Sequence, residues 1–230
     1  MARRSFRAKY RKELKRRGAD RDVPDRVLIV TEGSKTEPDY FRKLIAELGL
    51  RTAQVRITGD GGSAPVSVVE DGLRILQQDP DFEQVYFVFD RDRHDSYDGA
   101  LDTIKGLGKK RAYKGVTIVA VTSVPCFEIW FMMHVSQSRK PYESAKTGGS
   151  PGSAVLSDLK KTDLFACYEK GECAQFDEIA PFRDDAKSRA GLFLTQAQEE
   201  GTTEFHENPS TRVHLVVGAL ETLSKVNRKI

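Results

Sequence analysis

The chain has 230 residues, 39% of them hydrophobic and 31% charged, with a formal net charge of +3. That balance describes a soluble chain able to bury one elaborated core or two small ones, and no apolar run approaches the roughly 20 residues of a membrane span. Three cysteines, Cys126, Cys167 and Cys173, have neither disulfide-framework nor zinc-site spacing, which predicts free thiols and a reducing, cytoplasmic setting.

The charge is uneven. Residues 1–26 hold 11 Lys and Arg against 4 Asp and Glu, a net of +7, and the other 204 residues carry −4. No apolar h-region accompanies the basic run, so it is not a secretory signal, and its single Ser argues against a transit peptide. Residues 1–25 read either as a solvated tail or as an arm that seeks phosphate and adds salt-dependent affinity for nucleic acid.

From Arg26 onward the pattern alternates strand and helix. Val27–Thr31 is a continuous apolar run suited to a buried parallel strand. Pro38 suits the first turn of the next helix, Phe41, Leu44, Ile45 and Leu48 share one face, and Gly49 closes it. Residues 53–58 predict a weaker strand, and Ser63 a cap for a helix with Val66, Val69, Leu73 and Leu76 on one side. Gln84–Asp90, "QVYFVFD", is the clearest strand, turning acidic at its end. A helix follows, with Asp95 as its expected cap and Tyr97, Leu101, Ile104 and Leu107 along one face. Residues 116–122 form a fourth strand, and residues 128–134 a short, strongly apolar helix.

Residues 144–157, rich in Gly, Ser and Pro, predict a mobile linker. Beyond it, residues 184–200 look helical, and Ser210 is the expected cap of a last helix carrying Val213, Val216, Val217, Leu220, Leu223 and Val226 in one stripe. The organisation expected is therefore a basic tail (1–25), an α/β domain (26–143), a linker (144–157) and a helical C-terminal extension (158–230). Strands alternating with helices imply right-handed crossovers and a parallel sheet of about four strands flanked by helices.

The stretch "LIVTEGSKTEPDYF" stands where a phosphate-binding loop would, but a P-loop needs Gly directly before Lys and another five residues earlier. Ser34 and Ile29 occupy those positions, so no Gly-rich cradle forms. Attention moves to the acids, because polar groups converge at the carboxyl ends of parallel strands. Glu32 follows the first strand; Asp90 and Asp92 end the third. In extended chain, residues i and i+2 point to one side, so both aspartates can face one cation. Mg²⁺ suits such a set, since it takes one or two carboxylates, keeps several waters and binds substrate phosphate. The plainer reading makes Asp90 and Asp92 turn and cap residues.

The blocks "TEGSKTEPDYF", "FVFDRDRHD" and "SVPCFEIWFMMH", in that order, resemble the RloB-like family, a branch of the Toprim superfamily. The resemblance covers about residues 26–135, with a weaker echo at "ENPSTRVH". It implies a Toprim-like sheet in which Glu32, Asp90 and Asp92 hold Mg²⁺ or Mn²⁺. It further implies a metal-dependent nuclease acting on DNA or RNA, transfer RNA included, as an anti-phage effector often encoded beside an ATPase partner. Homo-oligomerisation stays open.

Around that set, Lys35 stands at a helix N-terminus where an anion is favoured, so it is a candidate phosphate ligand. Glu128 either orients its neighbours or enters the metal site, and the resemblance favours the site. Glu37 fits the N-terminal charge pattern of its helix. His94 is a proton donor or a lone exposed histidine, Cys126 a small buried hydrophobe, and Trp130, Phe131 and Met132 core. His134 falls off the helical face of Glu128. Two other activities compete with hydrolysis: nucleotidyl transfer of the primase type, and a non-catalytic metal-binding adaptor for an ATPase.

Overall fold

The computed structural model describes residues 25–51, 55–59, 64–91, 94–144, 149–171 and 175–227. The basic tail up to residue 24, Ser63, Asp92 and Cys173 lie outside them. Five strands, β1 (Val27–Thr31), β2 (Val55–Thr58), β3 (Gln84–Asp90), β4 (Thr117–Val124) and β5 (Ser210–Thr211), form one sheet in the order β2-β1-β3-β4-β5. β1 to β4 are mutually parallel and β5 runs antiparallel to β4. The eight α-helices among the described residues are α1 (Thr36–Glu47), α2 (Pro65–Gln78), α3 (Tyr97–Lys109), α4 (Glu128–Val135), α5 (Pro151–Leu159), α6 (Phe176–Ile179), α7 (Arg183–Glu199) and α8 (Val213–Asn227).

The two-residue period of the strands divides the interior into two layers. Val27 and Ile29, with Tyr86, Val88 and Val121, face a layer closed by α1, α4, α5, α7 and α8. Leu28 and Val30, with Val85, Phe87 and Phe89, face a second layer closed by α2 and α3. Both faces are therefore apolar, which is why β1 and β3 read as continuous hydrophobic runs rather than alternating ones. The first layer is strongly aromatic: Tyr40 meets the rings of Phe41, Phe127, Trp130, Phe131 and Phe176 edge to face. Such rings contribute about 0.5–1.5 kcal/mol per pair beyond their buried area.

Several local expectations are corrected. The linker expected over 144–157 is helical from Pro151, because Ser150 accepts a hydrogen bond from the Ser153 amide at 3.1 Å and Pro151 suits the first turn. Val155 and Leu159 of that helix are buried in the same layer as α1 and α4. Ser210 does not cap α8; it pairs with Val124 as part of a fifth strand absent from the sequence reading, and Thr211 Oγ1 accepts from the Val213 amide instead. Position Ser96, not Asp95, immediately precedes α3, and its side chain makes no cap hydrogen bond. Val226 leaves the stripe of α8 and is 40% exposed, while Val213, Val216, Val217 and Leu220 are fully buried.

The strand order fixes where a site can form. From β1 the chain crosses through α1 to β2 on one side, then returns through α2 to β3 on the other. The direction of winding reverses between β1 and β3, and the crevice outside their carboxyl ends is left uncovered by either crossover. Glu32 and Asp90 stand at that crevice.

Candidate active site between the ends of β1 and β3

The β1–β3 ladder continues one residue past the strand: the Glu32 amide donates to the Val88 carbonyl at 3.0 Å. This fixes the backbone of Glu32 and turns its side chain along the sheet edge, where Oε2 accepts from the Asp90 amide at 2.9 Å. His94 Nε2 lies 3.5 Å from Glu32 Oε1. Asp90 is held in turn by the parallel register with Ser123 and by the next amide, Arg91, which donates to the Ser123 carbonyl at 2.9 Å. The two acids are thus placed by ladder geometry rather than by flexible loops.

Behind Glu32 the chain must reverse into α1 within a few residues. The Thr31 hydroxyl lies 2.9 Å from the carbonyls of both Gly33 and Thr58, closing the turn against β2. Space is tight here: a Cβ on Gly33 would overlap the movable end of the Glu37 side chain, and one on Gly59 would stand 2.7 Å from the fixed Gly33 carbonyl oxygen. The tight turn aims the N-terminal end of α1, with Ser34, Lys35 and Thr36, at the crevice.

A cleft of about 360 Å³ results, lined by Glu32, Lys35, Glu37, Asp90, His94 and Lys170 among others. A roomier groove of about 740 Å³ runs beside β4, but Leu101, Ile118, Ala120, Phe205 and Leu215 dominate its walls. The larger groove also carries Asp98, Asp102, Lys105, Glu204, His206 and Arg212, but the carboxyls raised above their usual range, Glu37 and Asp90, line the smaller cleft. Burial pushes the Asp90 carboxyl well above its usual range, and the charges of Glu37, Glu128 and Glu32 push it further, against the pull of Lys170. Glu37 is raised to about 7 by burial, with Glu128 and Glu32 adding to the rise and its own backbone hydrogen bond and Lys170 opposing it. Four carboxyl groups therefore share one field, opposed by Lys170, and Lys35 lines the same cleft.

Glu128 is 1% exposed at the first position of α4. Its Oε1 accepts from the Tyr168 hydroxyl at 3.3 Å, whereas Oε2 is buried with no hydrogen-bond partner. An orphaned carboxylate oxygen beside other carboxyls is expensive unless a cation or proton answers it. Hard oxygen donors of this kind fit Mg²⁺ or Mn²⁺. Among the described residues no three His, Cys, Asp or Glu side chains form a ready-made metal cage. Asp92, which the sequence assigns to the metal set, lies outside those residues. The residues present fit a cation held by one or two carboxylates and completed by water and phosphate, as Mg²⁺ commonly is.

The structure brings together most of the expected set and adds to it. Glu32, Asp90 and Lys35 line the cleft, and Glu128 lies close enough to act on Asp90 and Glu37. Glu37 stands in the first turn of α1, as its helix charge pattern predicts, and it is also buried beside the other acids. Its signal in the sequence was only its place five residues after Glu32. Lys170 was missed altogether, for it comes from the helical C-terminal part and reaches the cleft by tertiary folding. Burial, then Glu128 and Asp90, push the Cys126 thiol well above its usual value, which suits an inert buried hydrophobe. Trp130, Phe131 and Met132 are buried in the core, as expected.

The segment echoing the same resemblance, residues 207–214, has a structural role. Glu207 and Arg212 form a buried ion pair at 2.9 Å, with the Arg212 guanidinium 4.1 Å above the Phe205 ring. Tyr97 donates to the Phe205 carbonyl at 2.8 Å, tying this strap to the helix that follows the Asp90 loop.

Residues 27–220 match the family model described as RloB-like protein. No curated protein and no solved structure gives a significant match. No helix among the described residues is long and apolar enough to cross a membrane.

Proposed function

The chain belongs to the RloB-like family, and from that membership and the chemistry of the cleft we propose that it is a metal-dependent nuclease hydrolysing phosphodiester bonds of nucleic acid. The observation that carries the reading is the junction of Glu32 and Asp90 across adjacent strand ends, with buried Glu37 and Glu128 in its field.

Glu32 and Asp90, with Asp92, would hold Mg²⁺ or Mn²⁺. Bound there, the ion supplies Lewis-acid polarisation of the phosphoryl oxygen and a lowered pKa for its water. The chain's own groups supply the rest. Lys35 lines the cleft at the N-terminal end of α1, where a phosphate is favoured. Glu37, titrating near neutrality, is suited to take a proton from the attacking water at its carboxylate. Glu128 adds to the negative field on Asp90 and Glu37 and accepts the Tyr168 hydroxyl. His94, 3.5 Å from Glu32 and lining the same cleft, is the candidate proton donor to a leaving-group oxygen.

The test is incubation with duplex DNA, single-stranded DNA and transfer RNA, with and without Mg²⁺ or Mn²⁺, comparing wild type with Asp90→Ala and Glu32→Gln. Metal-dependent cleavage lost in both variants supports the reading. Undiminished cleavage in both overturns it. The role of an anti-phage effector is proposed on the family resemblance, and plaque counts on cells carrying wild type or Asp90→Ala test it separately.

A further inference from the structure

The C-terminal part of the chain sends residues 168–171 across the cleft, and three contacts pin them there. Tyr168 donates to Glu128 Oε1 at 3.3 Å, the Gly171 amide donates to Thr36 Oγ1 at 3.0 Å, and the aliphatic stem of Lys35 packs against Gly171. Between two of these anchors Lys170 lines the cleft together with Glu32, Glu37 and Asp90. It is exposed at the cleft mouth, and among the described residues no direct ion pair joins it to the acids. The attraction therefore acts across the open space. Partial desolvation in the cleft works to lower the Lys170 ammonium, yet the acids, Glu128 first and then Asp90 and Glu37, outweigh it and hold the group above its ordinary value.

We propose that Lys170, carried on this pinned strap, is the built-in counter-cation of the carboxylate cluster: it balances the acids in the metal-free protein and opposes the binding of a divalent ion until substrate phosphate engages it. The proposal rests on the metal-site reading above and assigns a regulating residue to it. Its physical basis is charge. Three carboxyl groups line the cleft and Glu128 lies buried beside them; they repel one another, and the Lys170 ammonium, on the strap opposite the Lys35 stem, relieves that repulsion without filling the cation position. A divalent ion entering the same field meets the ammonium as a like charge. Phosphate, arriving on the outer side of the ion, would draw the ammonium to itself and remove the opposition, so that metal and substrate favour each other's binding.

Mn²⁺ binding, followed by electron paramagnetic resonance on the full chain, reads this directly and needs no catalysis. Lys170→Gln should tighten the Mn²⁺ dissociation constant about tenfold, while lowering the melting temperature of the EDTA-treated protein; Lys170→Arg should keep both wild-type values. Thr36→Val, which removes the acceptor for Gly171, should loosen the strap and tighten Mn²⁺ binding by a smaller factor. Adding inorganic phosphate should narrow the gap in Mn²⁺ affinity between wild type and Lys170→Gln. Equal or weaker Mn²⁺ binding by Lys170→Gln overturns the role given to Lys170 and leaves the metal site standing. Absence of Mn²⁺ binding by wild type and variant alike overturns both.

Discussion

The Asp90 amide donates to Glu32 Oε2 at 2.9 Å, so the acid ending β1 also fixes the backbone of the acid ending β3. One carboxylate thereby serves as a candidate metal ligand and as the clasp of the neighbouring strand end. Substitutions at Glu32 separate these roles. Glu32→Gln keeps an oxygen that can accept from Asp90 but loses the charge, so it should fold normally and lose at least about 100-fold in metal-dependent cleavage. Glu32→Ala also leaves the Asp90 amide without its acceptor and should cost a further ~1–3 kcal/mol of stability. Urea denaturation of the two variants beside a cleavage assay distinguishes charge from clasp.

Metal-free stability should fall with rising pH across the acid cluster. A carboxyl held at about 7 in the fold, against an ordinary 4.5, is protonated when folded and ionised when unfolded between those values. Stability from Glu37 is therefore complete below about 4.5 and lost as pH passes through about 7. Urea midpoints in EDTA should decline over that window, and Glu37→Gln should flatten the decline. Mg²⁺ should restore the alkaline side.

His134 sets the opposite limb. It is buried, with Nδ1 2.8 Å from the Trp130 carbonyl and Nε2 without a partner, and burial lowers its pKa to about 4 from 6.5, aided by Arg183 and Arg189. A neutral histidine in the fold contributes stability above about 6.5 that disappears as pH falls through about 4. The urea midpoint should drop over that interval, and His134→Phe should be markedly less acid-sensitive. A variant as acid-sensitive as wild type would remove His134 as the cause.

The two turn glycines should differ in kind. At Gly59 an added methyl meets the Gly33 carbonyl and Pro38, neither of which can move freely, and Gly59→Ala should cost roughly 1–3 kcal/mol. At Gly33 the obstacle is the end of the Glu37 side chain, which can swing away. Gly33→Ala should cost less stability but expel Glu37 from the cleft, shifting Mn²⁺ affinity and removing the Glu37 limb of the pH profile.

The N-terminal basic run predicts an electrostatic effect that can be measured without knowing the substrate. Deleting residues 2–22 should weaken nucleic-acid binding and flatten the slope of log affinity against log salt. Binding unchanged in both respects would leave the run as a solvated tail.

Much of this arrangement was legible in the residues. Apolar runs at Val27–Thr31 and Gln84–Asp90 announce strands buried on both faces, and their acidic ends locate Glu32 and Asp90, because strand ends are where a parallel sheet leaves polar groups free. Lys35 followed from its position before a helix. The parts that escaped depend on distant chain. β5 is two residues long and is held beside β4 by tertiary contacts, the Arg212 amide donating to the Thr122 carbonyl at 2.9 Å and the Ser123 and Thr211 hydroxyls lying 3.0 Å apart. Lys170 carries no local mark at all. The burial of Glu37 left no mark in the sequence, because an acid in a first helical turn ordinarily faces water. The Ser, Gly and Pro around residue 150 suggested a linker, yet the same residue types also begin a helix, and burial of Val155 decided between them.

The apolar layer over one face of the sheet is assembled from α1 and α4 on one side of residue 144 and from α5, α7 and α8 on the other. Neither portion owns a complete interior, so each should depend on the other to fold. Divided near residue 144 and fused to separate reporter fragments, the pieces should stay dark alone and regain signal only on meeting, because the wet aromatic wall left on each is the other's missing inside.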